Sequence, residues 1–211
     1  MSFTTLDRRR FLRLALGSAG LAVAGIWGAA ASEVTGPIEQ LHAALIAIMR
    51  AGKSASFRQR YEIIAPTVIR TFDLDKILRQ AVGPRWVSLR SDEQAALADA
   101  FRRFTIASYV ANFDSYSGER FEVTPVVRTV GGDRIVETRI TTVSGKTHVL
   151  DYLMRQEGSE WRVVDVLAEG SISRVAAQRS EMRSVLADGG GTGLLVSLRH
   201  KTSELSGGIL Q

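Results

Sequence analysis

The pattern of apolar and polar residues divides the chain into a helical first part and a strand-rich second part. Up to residue 117, apolar residues recur every three to four positions, which is the spacing of one helix face. The segment PIEQLHAALIAIMRAG is typical, with Pro37 suited to a first helical turn and Gly52 to the helix end. Its apolar stripe comprises Ile38, Leu41, Leu45, Ile48 and Met49.

Three further helices are predicted before residue 117. The second helix, SFRQRYEIIAPTVIRTF, contains Pro66, which should bend or break it because proline lacks a backbone N–H. The third begins at Asp73, a residue type that caps helix N-termini well. The fourth and longest begins at Ser91, which also suits an N-cap, and Asp92 and Glu93 match the positive end of the helix dipole.

The apolar period changes to two after residue 117, which predicts four β-strands. ERFEVTPVVRTV, DRIVETRITTV, KTHVLDYLMRQ and EWRVVDVLAEG are separated by short turn sequences that contain glycine. Short connections between consecutive strands predict an antiparallel meander. Two helical segments follow, SISRVAAQRSEMRSVLADGG and GTGLLVSLRHKTSEL, with a flexible glycine-rich connector between them. Helices, a four-stranded sheet and more helices make an α+β domain.

The last two predicted strands are apolar on both faces. Under strict alternation, Tyr152 faces away from Leu153, and Val164 and Val166 face away from Val163. A sheet that is covered by helices on one side needs only one apolar face. The pattern therefore leaves two alternatives open, which are helices on both sides of the sheet or an apolar cavity on one side.

The N-terminal segment has the three parts of an export signal. A basic stretch from Arg8 to Arg13 precedes an apolar run from Leu14 to Trp27, and an A-x-A cleavage pattern ends at Ala31. The arginine pair and the Phe-Leu that follow it resemble a twin-arginine signal. We expect residues 1–31 to be a cleaved export signal of this type, with an uncleaved anchor as the alternative, and residues 32–211 to form one domain.

Charge and composition exclude several classes of protein. Four arginines and one aspartate in residues 1–31 supply +3 of the net charge of +5, which leaves only +2 (5 − 3) for the domain. That charge supports a nucleic-acid surface poorly, and we expect no nucleic-acid partner. The absence of cysteine excludes a disulfide framework, a cysteine-based zinc site and a thiol nucleophile. The three histidines, His42, His148 and His200, lie on separate predicted elements, so we assign them structural or surface roles and expect no metal site.

Asp165 is the one acid whose surroundings suggest chemistry. It lies between apolar neighbours in the last predicted strand, where burying an ionised carboxylate without a partner is costly. A buried acid can have a raised pKa and act as a general base, here on a lipid substrate. The structural alternative, in which Asp165 pairs with an arginine or accepts backbone N–H bonds, is favoured because no second catalytic group lies at a recognisable spacing.

Aromatic residues are spread over the helical part and the sheet, and they have two interpretations. They form simple core, or they line an apolar pocket for a lipid, since such pockets are mostly apolar with few polar groups. Tyr109 and Tyr152 would then place a hydroxyl near a headgroup. The residues expected to line the pocket are Trp86, Phe101, Phe104, Tyr109, Phe113, Tyr152, Val164 and Val166.

Several stretches resemble the MlaC family of periplasmic phospholipid-binding proteins, which are also named for toluene tolerance. They are AFRRFTIASYVANFDSYSGERFEV, VLDYLMR, WRVVDVLAEGSISRVAAQRSEMRSVL and GLLVSLRHK. The third is similar to the family's Trp-basic-Val-x-Asp-Val core with a Gly-x-Ser after it. Within the family, FRQRYEIIAPTVIRTFDLDKILRQAVGPRW and GSISRVAAQRSEMRSVLADGG resemble the HpnM-like branch, which is associated with hopanoid biosynthesis.

The resemblance implies an NTF2-like curved four-stranded antiparallel sheet (118–170), packed with N-terminal helices (32–117) and C-terminal helices (171–207) around an apolar cavity. It implies a periplasmic carrier that shuttles a hopanoid or phospholipid between the inner and outer membranes and meets membrane-embedded lipid transporter components. It implies no catalysis, cofactor or metal, and we expect a monomer. Two alternatives stay open, which are a ligand-free interaction subunit of a transport complex and a lipid-modifying enzyme using Asp165.

Overall fold

The computed structural model describes residues 24–210, with side chains from residue 32 onward. The predicted export signal, residues 1–31, therefore lies outside the residues whose side chains are described. Over 24–210, none of the helices combines the length and the apolar character needed to cross a membrane.

Five α-helices occur in the described residues, and their apolar faces form most of the core. The stripe predicted for the first helix is confirmed, since each of its five members is at most 5% exposed. A shorter 3-10 segment, Gly83–Ser88, connects the third and fourth helices. The helices are α1 (Ala24–Ala51), α2 (Phe57–Thr71), α3 (Leu74–Val82), α4 (Ser91–Asn112) and α5 (Arg174–Leu205).

The ends of two helices test the predicted caps. The Asp73 cap is confirmed, because its carboxylate accepts the backbone N–H of Lys76 at 2.9 Å. The Ser91 cap is wrong by one residue. Arg90 occupies the N-cap position, and the Glu93 carboxylate accepts the Arg90 backbone N–H at 3.1 Å. Glu93 thus reaches back to the backbone of the N-cap residue, as the third helical residue of a capping box does.

Pro66 and Pro37 depart from the roles that the sequence predicts for them. Pro66 does not break α2, which continues through it to Thr71. Ile64 and Val68, on either side of Pro66, are fully buried, so core packing holds the helix together across the missing hydrogen bond. Pro37 lies inside α1 rather than in its first turn, because the described helix already extends from Ala24.

One antiparallel sheet contains all the described strands, in the order β1-β2-β3-β4-β5. The four predicted strands are confirmed, while the fifth, two residues long, is too short to show a period in the sequence. It pairs with the end of β4 at the corner that leads into α5. The strands are β1 (Arg120–Val130), β2 (Asp133–Thr141), β3 (Thr147–Glu157), β4 (Glu160–Ala168) and β5 (Ile172–Ser173).

A bulge in β4 corrects the predicted faces of this strand. Leu153 is paired with Asp165 but the next residue, Met154, is paired with Val163, so Val164 is an extra residue in the ladder. Val166 then lies opposite Tyr152, on the same face of the sheet as Val163. The prediction that Val166 faces away from Val163 is wrong, because the bulge shifts the alternation by one residue.

The second face of the sheet is mixed rather than apolar. Arg128 forms an ion pair with Asp151, and Arg155 Nε donates to Asp133 Oδ1 at 2.7 Å. These pairs lie among partly exposed apolar residues such as Leu153. The core cluster instead joins the opposite face to the helices through Val136, Tyr152, Met154 and Val163. The single apolar face therefore lies against the helices, and neither of the two predicted alternatives is needed to explain the strand pattern.

A glycine-rich segment bends α5 and brings it close to the start of α4. Gly190 has φ 59° and ψ −155°, a non-helical conformation that separates the two helical segments predicted from the sequence. Gly191 is buried, and a Cβ there would lie 2.9 Å from Leu89 Cδ2 and 3.1 Å from Glu93 Oε1. The connector is therefore a packed bend between two parts of one helix.

Gly190→Ala is expected to lower the free energy of unfolding by about 1–3 kcal/mol, because an L-residue is strained at this φ and ψ. Gly189→Ala is the matched control. Gly189 is helical and its added Cβ would meet open space, so we expect unchanged stability or a gain of about 0.5–1 kcal/mol. Urea unfolding of both variants measures the difference, and equal effects would contradict the assigned bend.

Candidate functional site

A chain of ring contacts crosses the space between the helices and the apolar face of the sheet. The Tyr109 ring centroid lies 5.7 Å from that of Phe72 and 6.1 Å from that of Phe113. Phe121 continues the chain, 6.1 Å from Phe113 and 5.2 Å from His42, whose ring is 6.4 Å from that of Tyr152. We call these residues the aromatic cluster; its members are Phe72, Tyr109, Phe113, Phe121, His42 and Tyr152.

The cluster draws its members from five different elements. Tyr109 and Phe113 are four residues apart at the end of α4, so they share one side of the helix and stack. Phe72 directly follows α2 and is fixed against β4, where the next backbone N–H donates to Val163 O at 3.0 Å. His42, Phe121 and Tyr152 come from α1, β1 and β3. Helix packing and strand register therefore bring distant residues together.

Two tyrosine hydroxyls in the cluster are unused. Neither Tyr109 nor Tyr152 makes a hydrogen bond to the described residues, although Tyr152 is only 2% exposed. Burial raises the pKa of Tyr109 well above its usual value; the nearby Tyr152 adds to this shift and Arg174 opposes it. Burial also raises the pKa of Tyr152. Both side chains are therefore neutral phenols that can donate a hydrogen bond.

His42 differs from the other two histidines. It is 5% exposed, its Nε2 has no hydrogen-bond partner, and burial lowers its pKa from 6.5 to about 4. His148 and His200 lie at the surface beside glutamates instead. Of the two roles predicted for the histidines, His42 therefore has the structural one, and His148 and His200 have the surface one. No group of three or more metal-ligating side chains occurs in the described part of the chain.

The structure brings together only part of the predicted lining. Tyr109, Phe113 and Tyr152 belong to the aromatic cluster, and Val166 lies opposite Tyr152 on the same face. The other four predicted residues lie elsewhere: Phe101 is fully buried core, Phe104 faces α5, Val164 is the bulge residue, and Trp86, in the 3-10 segment, has no aromatic contact among the described residues.

Sequence reasoning missed three members of the cluster, which are Phe72, Phe121 and His42. Phe72 and Phe121 lie at the edges of their elements, where no periodic pattern marks them. Only His42 has a signal in the sequence that could have identified it as a member of the cluster. It follows Leu41 and lies four residues after Ile38 and three before Leu45, so the helical spacing places it within the apolar stripe of α1.

In the described part of the chain, clefts run between α4 and α5, and three of them have residues of both helices in their lining. The largest, about 630 Å³, is bordered by Asp99, Arg103, Arg199 and other residues of these two helices. Another, about 340 Å³, lies beside Phe104 and Lys201, and a third of about 30 Å³ adjoins it. No sheet residue lines any of the three. The cavity expected between the sheet and the helices therefore stays a prediction.

Asp165 has a structural role, because it accepts backbone N–H bonds as the structural alternative in the sequence analysis predicted. Its carboxylate accepts the backbone N–H of Val166 at 2.7 Å and of Val175 at 3.1 Å, and the Ser173 hydroxyl at 2.5 Å. Ser173 in turn caps α5 by accepting the Ala176 N–H at 2.9 Å. The acid therefore joins β4 to the first turn of α5.

Comparison with known proteins places these features in a family. The model described as MlaC protein matches residues 39–200, which include the end of α1, all of α2 to α4, the sheet, most of α5 and the whole aromatic cluster. This chain belongs to the MlaC family. A phospholipid-binding protein from Ralstonia solanacearum, determined in complex with a phospholipid at 1.53 Å, has a similar fold with a TM-score of 0.71. The two sequences are 16% identical, and the match covers 82% of this chain and 99% of that one. A search of curated proteins gave no significant match.

The shared fold agrees with the α+β architecture predicted from the sequence, with a sheet of five rather than four strands. MlaC membership and the aromatic cluster point to a binding protein rather than an enzyme. The hydrogen bonds of Asp165 agree with this, since its carboxylate is already engaged by the corner that it stabilises.

Proposed function

We propose that this protein is a periplasmic lipid carrier that binds a phospholipid or a hopanoid and carries it between the inner and outer membranes. The main support is the MlaC fold, which the chain shares with a protein determined in complex with a phospholipid. The proposed export signal, residues 1–31, supports a location outside the cytoplasm. The proposed partners are membrane-embedded lipid transporter components, which would supply or receive the lipid, and the carrier is proposed to act as a monomer.

The aromatic cluster is the proposed binding region. A lipid chain between α1, α4 and the sheet would contact several rings, and burying its surface contributes roughly 25 cal/mol per Å². Tyr109 and Phe113 keep partial exposure at the end of α4, which suits an entrance. Arg174 is exposed, opposes the rise in the pKa of Tyr109 through its charge, and makes no hydrogen bond or ion pair with the described residues. It is therefore available to an anionic headgroup at that entrance.

The nature of the cargo rests on two different supports. The phospholipid is supported by the ligand of the Ralstonia solanacearum protein. The hopanoid is supported by the two segments that resemble the HpnM-like branch, and that branch assignment is part of the proposal. A diacyl phospholipid needs room for two flexible chains, whereas a hopanoid needs a broad and rigid slot.

Lipid loading tests the proposal directly. Purified and delipidated protein is incubated with vesicles of phosphatidylglycerol and phosphatidylethanolamine, with and without a hopanoid, and the lipid that it retains is extracted and identified by mass spectrometry. We expect about one lipid per protein, and Phe113→Ser should lower loading because it removes the central ring of the cluster. Val143→Ser, in an exposed turn, is the control. A folded protein that takes up neither lipid would refute the carrier function.

A second candidate function is a ligand-free interaction subunit of a membrane transport complex. The observation that favours it is the position of the three clefts, which lie between α4 and α5 and not against the sheet. The loading experiment separates the two functions, since an interaction subunit would remain without lipid in every vesicle mixture.

A further inference from the structure

Within the part of α1 whose side chains the structure describes, residues 32–51, the buried face contains one polar atom without a partner. His42 is 5% exposed, and its Nε2 makes no hydrogen bond. Its helical neighbours in the stripe, Ile38, Leu41 and Leu45, are at most 1% exposed. Buried side-chain nitrogens are nearly always hydrogen-bonded in folded proteins, so an unpartnered imidazole at this depth is a candidate ligand contact.

Two further polar groups converge on the same region. The Tyr152 ring lies 6.4 Å from that of His42, and Tyr109 is linked to His42 through the ring contacts of Phe113 and Phe121. Neither hydroxyl makes a hydrogen bond to the described residues. Three separate elements, α1, β3 and α4, thus each supply one unused hydrogen-bonding group to one aromatic cluster.

The chemistry of these groups limits what they recognise. All three are uncharged at neutral pH, because burial lowers the pKa of His42 to about 4, and phenols, whose pKa burial raises further here, are protonated at this pH in any case. Hydrocarbon chains offer them no hydrogen bond, and a phosphate matches a cation such as Arg174 better than a neutral imidazole. An uncharged carbonyl oxygen matches them, since neutral imidazole and phenol each have a donor.

We propose that His42, together with the Tyr109 and Tyr152 hydroxyls, hydrogen-bonds the ester carbonyls of a diacyl lipid and so fixes how deeply the lipid sits. This inference rests on the proposed lipid-carrier function. With the carbonyls at these three groups, the chains would lie against the rings of the cluster, and the headgroup would lie towards the exposed Arg174.

A pair of lipids that differ only at the carbonyls tests this contact. Dipalmitoyl phosphatidylglycerol and its dihexadecyl ether analogue have the same headgroup and similar chain lengths, but the ether lipid has no ester carbonyl. We expect delipidated wild-type protein to bind the ester lipid roughly fivefold more tightly, as one net hydrogen bond contributes. His42→Leu and Tyr152→Phe should each reduce this preference towards one.

Tyr152→Phe removes only a hydroxyl, so it keeps the test valid if His42→Leu folds poorly. Thr35→Val is the matched control, because Thr35 is also buried on α1 but its hydroxyl already donates to Glu39. It should keep the wild-type preference.

Equal binding of both lipids by the wild type, or a preference that survives in both His42→Leu and Tyr152→Phe, would overturn the carbonyl contact while leaving the carrier function intact. Uptake of a hopanoid alone would also overturn it, and uptake of no lipid would refute both.

Discussion

Replacing Asp165 with alanine is expected to lower the free energy of unfolding by about 3 kcal/mol. Each hydrogen bond to a charged acceptor contributes about 1.5–3 kcal/mol, but Asp165 is only half-buried, so water replaces part of what the three bonds contribute. The carboxylate accepts two backbone N–H groups and the Ser173 hydroxyl, and one of those N–H groups belongs to Val175 in the first turn of α5. Without it, the Val175 N–H loses its partner, and Ser173 loses the contact that holds it in the N-cap position. The helix would then be less firmly attached to β4.

Asp165→Asn should have a smaller effect, about 1–2 kcal/mol, since the amide keeps one acceptor oxygen but loses the charge. The matched control is Glu160→Ala, an exposed acid on the same strand that pairs with Arg162, for which we expect a change within about 0.5 kcal/mol. Urea unfolding gives all three values.

If Asp165 only joins β4 to α5, the Asp165→Asn protein should bind lipid normally at temperatures where it is folded. An Asp165→Ala protein as stable as the wild type would contradict the anchoring role. A folded Asp165→Asn protein that had lost function without losing stability would point to the enzyme alternative instead.

The helical half of the fold was predictable because its signal is local. The stripe of α1 repeats with the helical period over three turns, and one face of a helix packs the same way whatever element covers it. Local rules failed where tertiary packing decided the outcome. Pro66 was expected to bend or break α2, yet the buried residues on either side of it hold the helix together.

The strand pattern shows a different limit. Trp161, Val163, Val164 and Val166 are all apolar, so the sequence has no polar residue to reveal where the alternation changes. The register with β3 makes Val164 the extra residue, and register depends on the partner strand. This is why the sequence places Val166 on the wrong face of the sheet.

The aromatic cluster could be predicted only in part. Tyr109 and Phe113 share a helix face, and their spacing alone makes them neighbours. Their contacts with Phe72 and Phe121 depend on how α2 and β1 approach α4, which no local pattern specifies. The sequence therefore identified suitable residue types but not which of them meet.

We expect His42 to lower the free energy of unfolding as the pH falls below 6.5. Its pKa is about 4 in the folded protein and close to 6.5 when unfolded, so the unfolded chain binds the extra proton between these values. The contribution of His42 to stability is therefore unaffected above pH 6.5 and falls as the pH drops towards 4. The loss should be about 2 kcal/mol at pH 5 and should level off near 3 kcal/mol below pH 4.

His42→Leu removes this proton-binding site, so its stability should fall less in acid than that of the wild type. The measured quantity is the difference in free energy of unfolding between the two proteins, from urea titrations at pH 8, 6, 5 and 4.5. Groups common to both proteins, including His148 and the Asp133 carboxylate, cancel in that difference because they do not contact the substituted ring.

His200→Gln is the control. This histidine is exposed beside Glu204, so its difference from the wild type should stay within about 0.5 kcal/mol across the series. If the difference in free energy of unfolding between the wild type and His42→Leu did not change with pH, His42 would take up a proton as readily in the folded protein as in the unfolded chain. The assignment of a neutral imidazole to the aromatic cluster would then be wrong.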